Sequence, residues 1–101
     1  VTTQATFRIG ELYTDFGQAL MSSERPRNLS GEELEQYEIL LEEQAYPFEE
    51  KAIEVHETNA QRVAGGIYDT WVRKSMASLA ELIPARYAKE ERGENFVAIL
   101  Q

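Results

Sequence analysis

Apolar residues recur every three or four positions along most of this chain, which is the spacing of an amphipathic helix. The first such stripe extends from Ala5 to about Ser23 and consists of Ile9, Leu12, Tyr13, Phe16, Ala19 and Leu20. We expect its large aliphatic and phenyl side chains to make the inner contact of a first helix, with Phe7 and Tyr13 extending the same arc. The repeating period predicts an all-α fold.

Two glycines, Gly10 and Gly17, lie seven residues apart on one side of this first helix. A glycine inside a helix is less favourable than alanine by about 1 kcal/mol. Two such positions on one side indicate a closely packed partner helix, although two unrelated weak positions would give the same pattern. No second helix of the chain is an obvious partner for that side, so we expect the contact to come from outside this segment.

A second helix is predicted to start at Ser30, after Pro26 interrupts the first pattern. Ser30 followed by Glu33 forms a capping box, in which each side chain bonds a free backbone N–H at the helix start. The apolar stripe of this helix is Leu34, Tyr37, Leu41 and Ala45. Pro47 is then expected to end the helix or to kink it.

The second half of the chain predicts two or three further helices. One starts at Pro47, because proline is favoured in a first helical turn, and Gly65-Gly66 ends it. The next extends from about Ile67 to Ile83. Pro84 either kinks that helix or opens a short last one, which Gly93 closes.

Together these segments predict one domain, 1–101, built from four to five antiparallel helices. Residues 94–101 form a tail that the pattern leaves open as strand, helix or disordered end. The chain begins with Val1 rather than methionine, so we expect it to be part of a longer protein.

Five glutamates occupy an arc of the second helix that is separate from its apolar stripe. This acidic arc consists of Glu32, Glu35, Glu38, Glu42 and Glu43. Charged helix faces usually face solvent, so we interpret the arc as solvent surface or, alternatively, as the contact for a basic partner. Ile39 lies within the arc and indicates either a second neighbour or a lone exposed apolar residue. The candidate partner-binding residues are Phe7, Tyr13, Glu35, Glu38, Ile39 and Glu42.

Charge and composition exclude several functional classes. Residues 1–50 carry 11 acidic and 3 basic side chains, whereas residues 51–101 carry 7 of each. An acidic half repels phosphate backbones, so we expect no nucleic-acid partner. No apolar run approaches the roughly 20 residues of a membrane helix, so we expect no membrane insertion. The chain has no cysteine, which excludes disulfides and thiolate chemistry.

The sequence contains no motif that predicts catalysis, a metal or a cofactor. His56 is the only histidine, and Ile53 rather than a glutamate precedes it by three residues, so a carboxylate-bridged metal motif is incomplete. We expect His56 to be a hydrogen-bonded, partly buried residue of a helix interface. Ser75 and Ser78 lack the sequence context of a nucleophile, and Trp71 is expected in the core.

Two short patterns resemble tetratricopeptide repeats. Ile9-Gly10 followed by Tyr13 resembles the L-G-x-x-Y of a first repeat helix, and Ala52, His56 and Asn59 have the A-x-x-x-F-x-x-A spacing of a second one. The strings LSGEELEQYEILLEEQAYPFEEKAIEVHE and YDTWVRKSMASLAELIPARY are similar to the C-terminal helical region of large bacterial tetratricopeptide-repeat proteins. The resemblance implies helical hairpins at the end of a right-handed solenoid.

The resemblance also implies a non-catalytic scaffold that binds other proteins, with a bacterial cell envelope location. A segment cut from such an array leaves one apolar face uncovered, so we expect it to form a homodimer through its first helix. The alternative hypothesis is a self-contained helical bundle with an enzymatic or metal-binding role.

Overall fold

A computed structural model describes the backbone of residues 2–100 and the side chains of residues 2–85. Three α-helices account for most of this part of the chain: α1, Thr3–Ser22; α2, Glu32–Gln61; and α3, Thr70–Leu100. A short 3₁₀ turn, Arg62–Gly65, follows α2 directly. The predicted all-α fold is therefore confirmed, but the described part has three α-helices rather than the predicted four to five.

The count differs because neither proline ends its helix. Pro47 lies inside α2 and Pro84 lies inside α3. Each proline removes one backbone N–H donor and leaves one carbonyl without its helical partner. These carbonyls belong to Glu43 and Ala80, four residues before each proline. Both residues are exposed, so water can bond to the carbonyls. The helix α3 also continues past Gly93 to Leu100, so the predicted helix end at Gly93 is wrong.

The helix α2 lies between α1 and α3 and is antiparallel to both. Gly10 of α1 faces His56, whereas Gly17, two turns later, faces Ala45, which is earlier in α2. On the other side, the His56 ring is within 3.0 Å of Ser75 in α3. The resulting body measures 52 × 38 × 16 Å, so it is too thin for a second layer of helices.

The helix starts are set by caps, and one of them differs from the prediction. Thr2 caps α1, where its hydroxyl accepts a hydrogen bond from the Ala5 N–H at 3.0 Å. At the start of α2 the capping residue is Gly31, with a φ of 59° and no side-chain cap bond. The predicted capping box at Ser30 and Glu33 is therefore wrong, because the backbone enters α2 through a conformation that glycine permits.

The predicted break at Gly65-Gly66 is confirmed. Gly66 has a φ of 87°, and its N–H bonds the Val63 carbonyl at 3.0 Å, which closes the 3₁₀ turn. Asp69 then caps α3 by accepting the Val72 N–H at 2.9 Å. Its other carboxylate oxygen accepts the Thr3 hydroxyl, and this hydrogen bond lowers the pKa of Asp69. The Asp69 carboxylate thus caps α3 and connects it by a hydrogen bond to the first turn of α1.

Among the side chains of residues 2–85, the core is small and contains as many polar as large apolar side chains. Its buried apolar members are Phe7, Leu41, Ala45, Ala52, Val72 and Leu79. The four largest side chains with less than 2% exposure are His56, Val72, Asn59 and Ser75. Three of these four are polar, so the junction of the three helices depends on hydrogen bonds as well as on apolar contacts.

Candidate functional site

The apolar stripe of α1 faces solvent. Ile9 is 43% exposed, Leu12 is 51% exposed and Phe16 is 46% exposed. We call these three residues the exposed apolar face. The sequence predicted them as the inner contact of α1, and that prediction is wrong. The buried residues of α1 are instead Thr6, Phe7, Gly10 and Gly17.

The side of α1 that carries Gly10 and Gly17 faces the interior, because the absence of side chains there allows close contact between helices. A Cβ atom added at Gly10 would lie 2.5 Å from Nε2 of His56, which is closer than real Cβ contacts permit. The predicted close helix contact at Gly10 is therefore confirmed. The partner is α2 of the same chain, however, and not a helix from outside. With α2 held on the glycine side, Ile9, Leu12 and Phe16 stay largely exposed, and Phe16 meets Phe48 of α2 at the edge of the stripe.

Aromatic side chains extend the exposed apolar face onto α2. The ring of Phe48 lies 5.7 Å from that of Phe16 and 6.5 Å from that of Tyr13. A shallow apolar cavity of about 340 Å³ adjoins them, lined by Phe16, Ala19, Leu20, Ser23 and Phe48. The partner-binding residue predicted at Tyr13 therefore borders this surface. Phe7, by contrast, is only 7% exposed and packs against His56 and Trp71, so it is not available to a partner.

A hydrogen-bonded cluster of three buried polar side chains joins the helices beneath that surface. His56 Nδ1 is 3.0 Å from Ser75 Oγ, and Asn59 Nδ2 donates to the same oxygen at 2.8 Å. Asn59 Nδ2 also donates to the Thr3 carbonyl at 3.0 Å, and Asn59 Oδ1 accepts from Arg62 at 2.9 Å. The network is satisfied when the Ser75 hydroxyl donates to Nδ1 and the proton of neutral His56 is on Nε2. The predicted interface role of His56 is confirmed.

The environment of His56 favours its neutral form. Burial lowers the pKa of the imidazole below its ordinary value of 6.5, and the negative charge of Glu11 opposes that shift. Protonation would place a charge at a site where Nδ1 already accepts a hydrogen bond and Gly10 lies against the ring. A neutral His56 is thus part of the folded structure.

The His56–Ser75 pair has the spacing of a base and a nucleophile, but its surroundings do not suit catalysis. The two side chains are 1% and 0% exposed. Asn59 also bonds the hydroxyl oxygen that would have to attack a substrate. A substrate could reach this oxygen only if the helices separated, so we assign the pair a packing role.

A groove between α1 and α3 leads to one edge of His56. Its cavity volume is about 310 Å³, and its lining residues are Glu11, Thr14, Gln18, His56, Ser78, Glu81, Leu82 and Ala85. Two carboxylates and one neutral imidazole lie around this space. Within residues 2–85, no group of three or more histidine or acidic side chains is arranged to hold a metal ion.

Trp71 lies at the surface end of the core rather than inside it, contrary to the prediction. Its ring is half-buried and packs against Phe7 at 5.7 Å. Arg8 from α1 and Lys74 from α3 place their cations 5.2 Å and 4.7 Å from its ring centre. These contacts link the outer edges of α1 and α3.

The acidic arc of α2 is solvent-exposed, as predicted. Among the predicted partner-binding residues on this arc, Ile39 is 56% exposed, so its interpretation as an exposed apolar residue is confirmed. Glu38 accepts a hydrogen bond from Arg25 at 3.4 Å, which connects the arc to the loop after α1. Glu35 and Glu42 are also exposed, and the partner role of all four residues stays a prediction.

The spacing of the glycines is the sequence signal that could have identified the exposed apolar face. Gly10 and Gly17 lie roughly 120° around α1 from the stripe of Ile9, Leu12 and Phe16, and a glycine surface allows close packing of a neighbouring helix. Giving the glycines priority over the apolar stripe would have oriented α1 correctly. Phe48 carries no comparable signal, because its place beside Phe16 depends on how α1 and α2 are aligned.

No known protein family, curated protein or solved structure matches this chain. No helix in the described part of the protein is long and apolar enough to cross a membrane.

Proposed function

We propose that this chain is a non-catalytic module for protein–protein interaction, which forms the end of a tetratricopeptide-type array of helical hairpins. The exposed apolar face of α1 carries this proposal. Three large apolar side chains between 43% and 51% exposed form a continuous stripe there. Contiguous apolar surface of this kind on a small domain commonly marks a contact with another polypeptide.

The positions that resemble a tetratricopeptide repeat support the hairpin part of the proposal. Gly10, from the first-helix pattern, lies against His56, from the second-helix pattern. The other two residues of that second pattern, Ala52 and Asn59, are each 0% exposed. Gly10 and His56 thus meet at one helix–helix contact, and this contact supports the hairpin part of the proposal.

The test places a photo-crosslinking amino acid on the exposed apolar face, in the longest natural form of the protein in its own cells. At Leu12 the probe should form a defined covalent adduct with another protein surface. The matched control is Met76, an apolar residue of α3 with 42% exposure. The proposal fails if the adduct yield at Leu12 does not exceed the yield at Met76.

A further inference from the structure

One edge of the exposed apolar face carries two opposite charges. At 100° per residue, Arg8 and Asp15 both project on the same side of the stripe formed by Ile9, Leu12 and Phe16. They are seven residues apart, which places them about two turns from each other along α1. Both are exposed. A cation and an anion therefore flank the apolar stripe. Their midpoint lies between Glu11 and Leu12, one residue from the midpoint of the stripe, which lies between Leu12 and Tyr13.

This arrangement is self-complementary under two-fold symmetry. When two antiparallel copies of α1 meet through their stripes, each edge faces the same edge of the other copy. With the axis between Glu11 and Leu12, Arg8 of each copy lies opposite Asp15 of the other. The apolar stripes cover each other at the centre, and two reciprocal ion pairs flank them.

We propose that a second copy of this chain binds the exposed apolar face, forming an antiparallel two-fold dimer of α1 helices with reciprocal Arg8–Asp15 pairs. This inference rests on the proposed function and names the partner of the same surface. Three large side chains per copy cover much less than the roughly 800 Å² per partner of a standard interface. The dimer is therefore weak and dissociates on dilution.

The first experiment measures sedimentation of the purified 101-residue chain across a concentration series. A reversible monomer–dimer equilibrium is expected. Leu12→Glu should weaken dimerisation by about tenfold or more, because a charge replaces an apolar side chain at the interface centre. The matched control Met76→Glu, on α3, should leave the equilibrium unchanged. Circular dichroism checks that both variants remain folded.

The second experiment tests the antiparallel geometry by charge reversal. Arg8→Asp alone places two aspartates opposite each other at both ends of the dimer, and Asp15→Arg alone places two arginines there. Each variant should be monomeric by itself. An equimolar mixture should form a heterodimer, because the new aspartate of one variant then faces the new arginine of the other. The second pair of that heterodimer keeps Arg8 opposite Asp15.

Rescue by mixing does not depend on any change in helix stability, because the same two variants are compared alone and together. The inference is overturned by a chain that stays monomeric at high concentration, by a dimer that tolerates Leu12→Glu, or by a mixture that stays monomeric. If the chain is monomeric while the probe at Leu12 still captures another protein in cells, this inference fails and the proposed function stands.

Discussion

Replacing Gly10 with alanine tests the contact between α1 and α2 at its closest point. The added Cβ would lie 2.5 Å from Nε2, 2.6 Å from Cε1 and 2.8 Å from Cδ2 of His56. The ring has little room to move, because His56 is 1% exposed and its other nitrogen is hydrogen-bonded to Ser75. The methyl group therefore has to displace either the helix or the imidazole.

The expected loss of stability follows from three opposing contributions. Alanine is favoured over glycine in a helix by about 1 kcal/mol. Forcing an extra methyl group into a packed core is unfavourable by about 1–3 kcal/mol. Breaking the His56–Ser75 hydrogen bond to make room adds about 1 kcal/mol more. The Gly10→Ala variant should thus lose about 1–3 kcal/mol of unfolding free energy, being the sum of these effects.

The same substitution at Gly17 is the matched control. There the added Cβ would lie 3.6 Å from Cγ of Glu49 and 3.7 Å from Cβ of Phe48, which are ordinary contacts. The Gly17→Ala variant should therefore gain up to about 1 kcal/mol from helix propensity alone. Urea unfolding followed by circular dichroism measures both changes. If Gly10→Ala stabilises the chain as much as Gly17→Ala does, the inferred approach of α1 to His56 is wrong.

Three further changes test the polar and capping contacts. Below pH 6.5 the stability should fall, because His56 has a lowered pKa in the folded state and takes up a proton more readily in the unfolded state. The urea midpoint, measured from about pH 7.5 to about pH 5.5, should decrease over this range. The same pH dependence of the midpoint in His56→Gln would contradict this. Thr2→Ala should lower the unfolding free energy by about 1 kcal/mol, whereas Ser30→Ala should not change the urea midpoint. A loss of stability in Ser30→Ala and none in Thr2→Ala would show that Ser30 caps α2 and that Thr2 does not cap α1. Replacing three glutamates of the acidic arc with glutamine should keep or slightly raise stability, because like-charge repulsion disappears. Calorimetric titration of the unaltered chain with zinc, manganese and calcium should show no stoichiometric binding, and a tight site removed by the triple change would contradict this. The three glutamates are Glu35, Glu38 and Glu42.

The helical class and the main breaks were predictable because they depend on local chemistry. Gly66 ends the 3₁₀ turn in a left-handed conformation that only glycine adopts easily. Pro26 lies in the loop between α1 and α2, as its effect on the preceding residue predicted. The effect of Pro47 was overestimated, because a helix already held on both sides by neighbours continues through a missing hydrogen bond at an exposed position.

The orientation of α1 was not predictable from its apolar stripe. Burying the stripe would place Phe16 and Leu12 between α1 and α2 and hold the helices apart. Packing through Gly10 instead brings the backbone of α1 against His56, where Ser75 and Asn59 complete the hydrogen bonds. That choice depends on three helices at once, so the amphipathic pattern of one helix cannot reveal it.

The contacts of the candidate site also depend on how the helices pair, so the sequence pattern of a single helix could not predict them. His56 was expected at an interface, but its bond to Ser75 joins residues 19 positions apart in the chain. The surface around Phe16 includes Phe48 for the same reason. Sequence patterns identify which residues are apolar or polar, whereas the pairing between helices determines which of them meet.

The most direct test of the account is the solvent accessibility of α1, measured by thiol labelling. The chain has no cysteine, so single-cysteine variants report one position each. At concentrations low enough to keep the chain monomeric, Phe16→Cys, at a position that is 46% exposed, should react readily with a maleimide. Ala52→Cys, at a position that is 0% exposed, should be strongly protected. Equal protection of the two thiols would show that the apolar stripe of α1 faces inward and would contradict the proposed interaction surface.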